Sequence, residues 1–215
     1  MEVSIYSKSS AGALSVCENG AAMCTNSRKP AQALRHAMES EHNSVLEHAV
    51  YTFEIHDISR VALAQLTRHR IASFSVQSQR YINQENQGVV VPPSIQANKK
   101  CNEAFERAAE QAMLLYKQLI DAGIDQEDAR YILPQGIMTS LQMTMNAREL
   151  GLFFSLRCCN RAQWEIRELA DKMLALCRED CPEIFGKAGP SCRREGCHEK
   201  RPCGHPRTEE TLWET

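Results

Sequence analysis

Residues 51–70 restrict the fold of this chain more than any other stretch, because the hydrophobic period changes within them. Large apolar side chains alternate with polar ones over residues 51–55, which is the pattern of a half-buried strand. Over residues 57–67 the apolar positions follow a helical spacing instead. A strand that leads directly into a helix predicts a mixed α and β fold, with the basic triplet of residues 68–70 near the C-terminus of that helix.

The triplet Arg68, His69 and Arg70 has two interpretations. Basic side chains complement the negative end of a helix dipole, an effect worth only tenths of a kcal/mol. They also suit an anionic ligand. If residues 73–81 are extended, Ser78 and Arg80 project from one face, and a guanidinium group matches phosphate oxygens bidentately. The sequence therefore predicts a local anion site here.

Composition excludes several classes of protein. The 215 residues are 43% hydrophobic, which supports one domain with a sizeable core. A net charge of −2 provides no global field for nucleic acid and weighs against a DNA-binding function. The N-terminus lacks a signal-peptide core, and no apolar run approaches the ~20 residues that cross a bilayer. We expect a cytoplasmic protein without membrane contact, in which the ten cysteines are reduced thiols or metal ligands.

The other segments carry weaker patterns. The sequence predicts a strand at 2–7, a first helix from Pro30, a long core helix over 101–122 stopped by Gly123, a short helix after Asp125, a strand at 136–145, and a helix over 164–177 that a capping box of Asn160 and Gln163 begins. A helix at 136–145 is the alternative to the strand.

Residues 181–215 form a predicted tail that is rich in cysteine and histidine and has almost no apolar periodicity. Its cysteines are Cys181, Cys192, Cys197 and Cys203, with gaps of ten, four and five residues that do not match paired CxxC motifs. Structural zinc is one interpretation, and a reduced tail that is flexible or ordered by a partner is the other. His42, Glu47 and His48 invite a metal hypothesis, but no third ligand lies at zinc spacing, so no metal is predicted there.

Four motifs resemble those of a known family, the flavin-dependent thymidylate synthases (ThyX family). RHRIASFSVQSQRY (68–81) is similar to the family signature, in which an RHR triplet is followed by seven residues and then by a serine. EHNSVLEH (41–48), ARYILP (129–134) and NARELGLFFSLRCCNRAQWEI (146–166) resemble its flavin segment, its mid-chain arginine motif and its C-terminal signature. Their order over residues 40–170 argues against chance. Three positions depart from the family pattern. Many relatives carry other residues in place of Ser75 and Val76, and some carry another residue in place of Leu152.

The resemblance implies an α+β fold, with helices flanking an antiparallel sheet in a single domain of residues 1–180. It implies the reductive methylation of dUMP to dTMP, with FAD as redox carrier, methylenetetrahydrofolate as carbon donor and NADPH as electron source. It further implies a homotetramer with active sites between subunits.

Site residues follow from the matched motifs. The flavin contacts implied are Ser44, Glu47, Arg68, His69, Arg70, Ile71, Asn146 and Arg148. The dUMP contacts implied are Gln65, Arg68, Gln77, Ser78, Gln79, Arg80, Arg130 and Arg157. The catalytic residues implied are Arg157, which would stabilise the N3-deprotonated uracil ring, and Ser78. A serine nucleophile needs an adjacent base, so we expect Ser78 to position and polarise dUMP rather than to attack it.

Two other classes of protein fit the same residues. One is a different flavin or nucleotide-phosphate enzyme that uses the same arginines. The other is a nucleic-acid-binding or regulatory module with a Cys/His tail, whose binding would weaken steeply with salt.

Overall fold

A computed structural model describes residues 1–193 and 196–208 of the chain. Its sheet has four strands, β1 (Glu2–Lys8), β2 (Val50–Ser59), β3 (Ala72–Val76) and β4 (Met138–Asn146), in the order β1-β2-β4-β3. The sheet is antiparallel and is accompanied by many helices, which confirms the predicted α+β fold class. Residues 194–195 and 209–215 of the predicted tail lie outside the described residues.

The helices are, in chain order, α1 (Ala13–Thr25), α2 (Pro30–Glu39), α3 (Arg60–Leu66), α4 (Pro93–Gln96), α5 (Lys99–Asp121), α6 (Gln126–Ala129), α7 (Ala147–Arg157), α8 (Trp164–Asp180) and α9 (Pro182–Phe185). Short 3₁₀ helices cover Asn43–His48, Arg130–Ile132 and Ser191–Arg193. Within the described ranges, no helix combines the length and the apolar character that a membrane crossing requires.

The chain forms two compact units. The first unit comprises residues 1–2, 55–67 and 75–141, and the second comprises residues 3–54, 68–74 and those from 142 onward. The proposed boundary between a domain of residues 1–180 and a tail of 181–215 stays a prediction.

Aromatic rings form the core of the second unit. Tyr51 and Phe53 extend from β2 and are fully buried, as are Phe153 and Phe154 of α7. The ring of Phe185 meets that of Tyr51 edge-on, with centroids 5.5 Å apart. The Tyr51 hydroxyl donates to an Asp180 carboxylate oxygen at 2.9 Å, so its polar end stays paired inside this core. The predicted alternation of residues 51–55 is confirmed.

The first unit buries Ile55, Ile58, Leu66, Tyr116 and Ile137 completely. Helix α5 forms where its period predicted, and Gly123 follows it at a φ of 86°, a left-handed conformation that glycine adopts without strain. The expectation that its apolar face lies in the core is wrong, however. Tyr116 is its one buried residue, whereas Leu114 and Leu115 are 57% and 41% exposed. The periodic face is real, but the residues that the structure describes leave most of it uncovered.

Several predicted boundaries are also wrong. Strand β2 continues to Ser59, so no helix begins at Asp57, which has a φ of 58°. Helix α3 begins at Arg60 because the Ser59 side chain accepts a hydrogen bond from the backbone N–H of Ala62 at 3.0 Å. Strand β3 ends at Val76 rather than continuing to residue 81.

Two helices differ from the sequence prediction at their N-termini. Helix α1 precedes the helix at Pro30 and was not predicted, because its small residues give a weak periodic pattern. Helix α8 is capped by Gln163, whose side-chain oxygen accepts from the N–H groups of Glu165 and Ile166. Asn160 is therefore not its cap. The strand predicted over residues 136–145 is confirmed as β4.

Candidate active site

The basic triplet places one side chain inside the second unit and two outside. His69 is only 5% exposed, whereas Arg68 and Arg70 are exposed on either side of it. Ile71 follows with 65% of its surface exposed. Two guanidinium groups beside an exposed apolar side chain suit a ligand that is anionic and partly apolar. The buried imidazole must have a separate function.

Helix α7 holds that imidazole with three side chains on one helical face. Glu149, Phe153 and Arg157 are spaced at four-residue intervals, so they project from the same side of the helix. The Glu149 carboxylate lies 3.4 Å from His69 Nδ1, and Arg157 Nε donates to His69 Nε2 at 3.1 Å. The Phe153 ring meets the imidazole edge-on at 5.0 Å between centroids. We call Glu149, His69 and Arg157 the α7 relay.

Burial lowers the pKa of His69 below its ordinary value because it disfavours the imidazolium form. The hydrogen bond with Glu149 opposes this shift, and the nearby charge of Arg157 adds to it. A neutral imidazole has one donor and one acceptor nitrogen. Since Arg157 Nε–H can only donate, Nε2 must accept, and Nδ1 therefore carries the proton that points to Glu149. Glu149 thus sets the tautomer that orients Arg157.

A second pair of flavin-assigned residues lies in the same unit. Glu47 and Arg148 form an ion pair at the surface, with side chains 47% and 55% exposed. The backbone N–H of Ala147 donates to the carbonyl of Ala49 at 2.8 Å, which brings the Asn43–His48 turn against the start of α7. Ser44 is exposed on that turn.

The side chain of Asn146 hydrogen-bonds to the first turn of helix α7. Its side-chain oxygen accepts from the backbone N–H of Glu149 at 2.9 Å and so caps α7. This cap fixes the start of the helix that carries the α7 relay. All eight residues implied as flavin contacts belong to the second unit.

The dUMP-assigned residues are divided between the two units. Arg68 and Arg157 belong to the second unit, and the others belong to the first. In the first unit Glu127 joins two of the arginines, since its carboxylate accepts from Arg80 Nε at 2.7 Å and its backbone carbonyl from Arg130 Nε at 3.0 Å. The 129–134 motif therefore lies beside the end of the 68–81 motif.

Arg60 joins this cluster and was not predicted. Its Nη2 donates to the Gln77 carbonyl at 2.8 Å, and both burial and the charge of Arg130 lower its pKa. Arg60, Arg80 and Arg130 together with the Glu127 carboxylate carry a net positive charge, which suits a phosphate. The sequence signal for Arg60 was weak, because a single arginine at the start of a helix is common.

Ser78 lies in a turn that follows β3. Its carbonyl accepts from the N–H of Ile82 at 3.1 Å, and its hydroxyl oxygen accepts from the N–H of Arg80 at 3.2 Å. The N–H of Gln77 donates to the carbonyl of Ser140 in β4, which anchors the turn to the sheet. Gln65 and Gln79 are both partly exposed. The expected extended arrangement of Ser78 and Arg80 is therefore replaced by a turn.

The tail cysteines are not gathered into one cluster. Cys181 is buried beside Glu183, whereas Cys197 is exposed and Cys192 and Cys203 are partly exposed. Among the residues that the structure describes, no group of three or more His, Cys, Asp or Glu side chains is placed to hold a metal ion. All ten cysteines are free thiols.

Known proteins are similar to this chain in sequence and in fold. A family model described as thymidylate synthase complementing protein matches residues 6–183. The flavin-dependent thymidylate synthase of Geobacter sulfurreducens is 51% identical over 164 residues, which are 75% of this chain and 71% of that protein. The enzyme of Saccharolobus solfataricus is 48% identical over 161 residues, or 74% of this chain and 61% of the relative.

A solved structure agrees with these matches. The flavin-dependent thymidylate synthase ThyX of Helicobacter pylori, in complex with FAD and dUMP, aligns with a TM-score of 0.72 and 27% identity, covering 88% of this chain and all of that one. The fold and these matches place the chain among the enzymes that act on a nucleotide. It belongs to the flavin-dependent thymidylate synthase family, as the motifs predicted.

Proposed function

We propose that this chain forms dTMP by reductive methylation of dUMP, with FAD as redox carrier, methylenetetrahydrofolate as carbon donor and NADPH as electron source. One observation carries the proposal: Arg157 Nε lies 3.1 Å from His69 Nε2 within the second unit. This contact joins the arginine assigned to the uracil ring to the triplet assigned to the flavin. The reaction itself is inferred from the relatives named above, which are flavin-dependent thymidylate synthases.

The residues of the second unit fit FAD by their chemistry. Arg68 and Arg70 are exposed cations that can bind its pyrophosphate, and exposed Ile71 offers apolar surface to a ring system. Arg148 is paired with Glu47 in a half-exposed and therefore weak ion pair, so a flavin phosphate can compete for its guanidinium group. Ser44 and the cap residue Asn146 complete the proposed set. When bound, FAD supplies the hydride chemistry that no amino-acid side chain provides.

Arg157 has the central role toward the substrate. Its guanidinium group can stabilise the negative charge that develops on the uracil ring when N3 is deprotonated. Such stabilisation works only if the donor is already oriented before the reaction, and the α7 relay supplies that orientation through His69. The proposed role of the α7 relay is therefore to align the Arg157 guanidinium group with the substrate, and not to exchange a proton with the substrate.

We assign the dUMP phosphate to the arginines of the first unit. Arg80 and Arg130 are joined through Glu127, and a dianionic phosphate can compete for Arg80 because the Arg80–Glu127 pair is half-exposed and therefore weak. Gln65, Gln77 and Gln79 offer amide groups for the remaining polar atoms of the nucleotide. Arg68 completes the proposed set.

Ser78 positions the substrate rather than attacking it. Its oxygen accepts from the backbone N–H of Arg80, which is not a base and cannot activate a nucleophile. Burial raises the pKa of the Cys158 thiol, in the 146–166 motif, well above its usual range, so that thiol stays protonated and is a poor nucleophile. We expect Ser78→Ala to keep measurable dTMP formation. Complete loss of activity with unchanged dUMP affinity would instead support covalent attack by Ser78.

The proposal is tested by the visible absorption spectrum of the purified protein, recorded without oxygen before and after NADPH and dUMP are added. We expect flavin bands near-stoichiometric with protein, and reduced flavin that is reoxidised when dUMP and methylenetetrahydrofolate are both present. Reoxidation that ignores dUMP would favour another nucleotide-phosphate enzyme. A colourless protein that does not take up FAD would refute the proposal.

We further propose that the chain acts as a homotetramer with shared active sites in the cytoplasm. The exposed apolar face of α5 supports association, because Leu114 and Leu115 are accessible to another subunit. Ten free thiols support a reducing compartment. Dilution that dissociates the oligomer should release flavin, and full activity of a monomer would refute the shared site.

A further inference from the structure

The C-terminal segment beyond the family match returns to the catalytic helix. The family model ends at residue 183, yet Asn160 Nδ2 donates to the carbonyl of His205 at 2.7 Å and Arg161 Nη1 to the carbonyl of Arg201 at 2.6 Å. Arg161 also lies 3.8 Å from the Glu199 carboxylate. Residues 199–207 therefore contact the loop that directly follows α7.

Arg207 is the buried end of this segment. Its side chain is only 5% exposed, and that of Asp171 on α8 is only 6% exposed. Arg207 Nη1 donates to the Asp171 carboxylate at 2.7 Å and to the backbone carbonyl of Cys158 at 3.0 Å. One nitrogen thus bridges α8 and the residue that follows α7. Arginine is rarely buried without such partners, because desolvation of its charge is costly.

The carbonyl of Cys158 lies next to Arg157 in the chain. Cys158 is the C-cap of α7, and the last carbonyl groups of a helix have no partner within the helix. A cation that donates to such a carbonyl stabilises the last turn. The turn fixed in this way carries Arg157, whose Nε contacts His69.

We propose that Arg207 is a positioning residue of the active site, which holds the last turn of α7 and thereby the orientation of Arg157 through its bridge between Asp171 and Cys158. This inference rests on the proposed role of Arg157 and extends it to a segment outside the family match. Arg207 is not among the residues assigned to the substrate or to the cofactor.

The test compares Arg207→Met, Asp171→Asn and the double variant with the unaltered enzyme. Arg207→Met leaves the buried Asp171 carboxylate without its guanidinium partner and lowers the thermal midpoint, so its activity alone cannot separate folding from positioning. The double variant replaces a buried ion pair with neutral groups, an exchange that is often neutral for stability. It still lacks the donor to the Cys158 carbonyl.

We expect the double variant to regain the thermal midpoint and to bind FAD, but to form dTMP with a kcat about tenfold or more below that of the unaltered enzyme, since misplacement by about 1 Å can cost about a hundredfold. The KM for dUMP should change less, because the phosphate arginines are intact. Arg201→Ala is the matched control, since Arg201 contacts Arg161 through its backbone carbonyl. Recovery of both stability and kcat in the double variant would overturn the proposal.

A second readout does not depend on dTMP formation. The charge of Arg157 lowers the pKa of His69, so displacement of Arg157 should raise that pKa in the double variant. Proton NMR of the histidine rings measures it, and His69→Gln identifies the signal by its loss. An unchanged His69 titration would overturn the positioning role. If the unaltered enzyme forms no dTMP, the proposed function fails and this titration still decides the role of Arg207.

Discussion

Replacing Glu149 with glutamine should impair catalysis without removing any group that touches the substrate. The carboxylate of Glu149 accepts from His69 Nδ1–H and so leaves Nε2 as the acceptor for Arg157. A glutamine amide can present either its oxygen or its NH₂ group to Nδ1. In the second case the imidazole proton moves to Nε2, where two donors would face each other. The variant therefore loses control of the tautomer while the shape of the side chain is kept.

The magnitude follows from the burial of the pair. Glu149 is 8% and His69 5% exposed, so water cannot replace the lost interaction easily. A hydrogen bond to a charged group contributes about 1.5–3 kcal/mol. If that energy holds Arg157 in the reactive orientation, its loss lowers kcat/KM for dUMP roughly ten- to hundredfold, at about 1.4 kcal/mol for each factor of ten.

The assay follows dUMP-dependent reoxidation of the reduced flavin through its visible absorption band. A thermal melt and the FAD content are measured for each preparation. Glu103→Gln is the matched control, since Glu103 is exposed on α5. We expect the control to behave as the unaltered enzyme does. The reasoning would be refuted by a Glu149→Gln enzyme that binds FAD and keeps an unchanged kcat/KM.

Three further predictions concern a surface pair, a helix cap and pH. Glu127→Gln should lower the KM for dUMP because Arg80 is no longer neutralised, with a loss of stability below about 1 kcal/mol; a raised KM contradicts this. Ser59→Ala should cost about 1 kcal/mol in urea unfolding, and Ser59→Thr less; equal losses would show that the cap is unimportant. The pKa of His69 is lowered in the folded chain, so between that pKa and about 6.5 the unfolded chain binds more protons than the folded one. The contribution of His69 to the free energy of unfolding is therefore complete above about pH 6.5, and it falls by up to about 1.4 kcal/mol per pH unit as the pH drops from there towards the folded-state pKa. Urea unfolding of His69→Gln across this range should show a flatter dependence, and parallel curves would refute the assignment.

Local sequence patterns predicted the elements in which the spacing of apolar residues along the chain determines which side chains are buried. The alternation of Tyr51 and Phe53 identified β2 because a strand has two faces with a period of two. The face of α5 was equally periodic, but a period does not say what covers it, and Tyr116 alone is buried. Gly20 shows why α1 was missed: a side chain there would lie 2.9 Å from His48, so close packing replaces a broad apolar face.

The candidate site was predictable only where its residues form short motifs. The 68–70 triplet could be recognised from its charge, but its burial pattern could not, because adjacent basic residues give no indication of which one turns inward. Glu149 is eighty positions from His69 along the chain, so only the tertiary structure brings them together. Arg207 lacked any local signal, since its partner Asp171 lies thirty-six positions away. Contacts of this kind need the folded chain.

The four-residue spacing on α7 limits how its length can change. An extra residue between Glu149 and Arg157 would rotate every later side chain by about 100° and shift it by about 1.5 Å along the axis. Arg157 would then leave the face that His69 contacts, whatever residue was added. Outward positions such as Leu152 and Leu156, about half exposed, carry no such restriction. Alignments of close relatives should therefore show substitutions within this helix but no gaps.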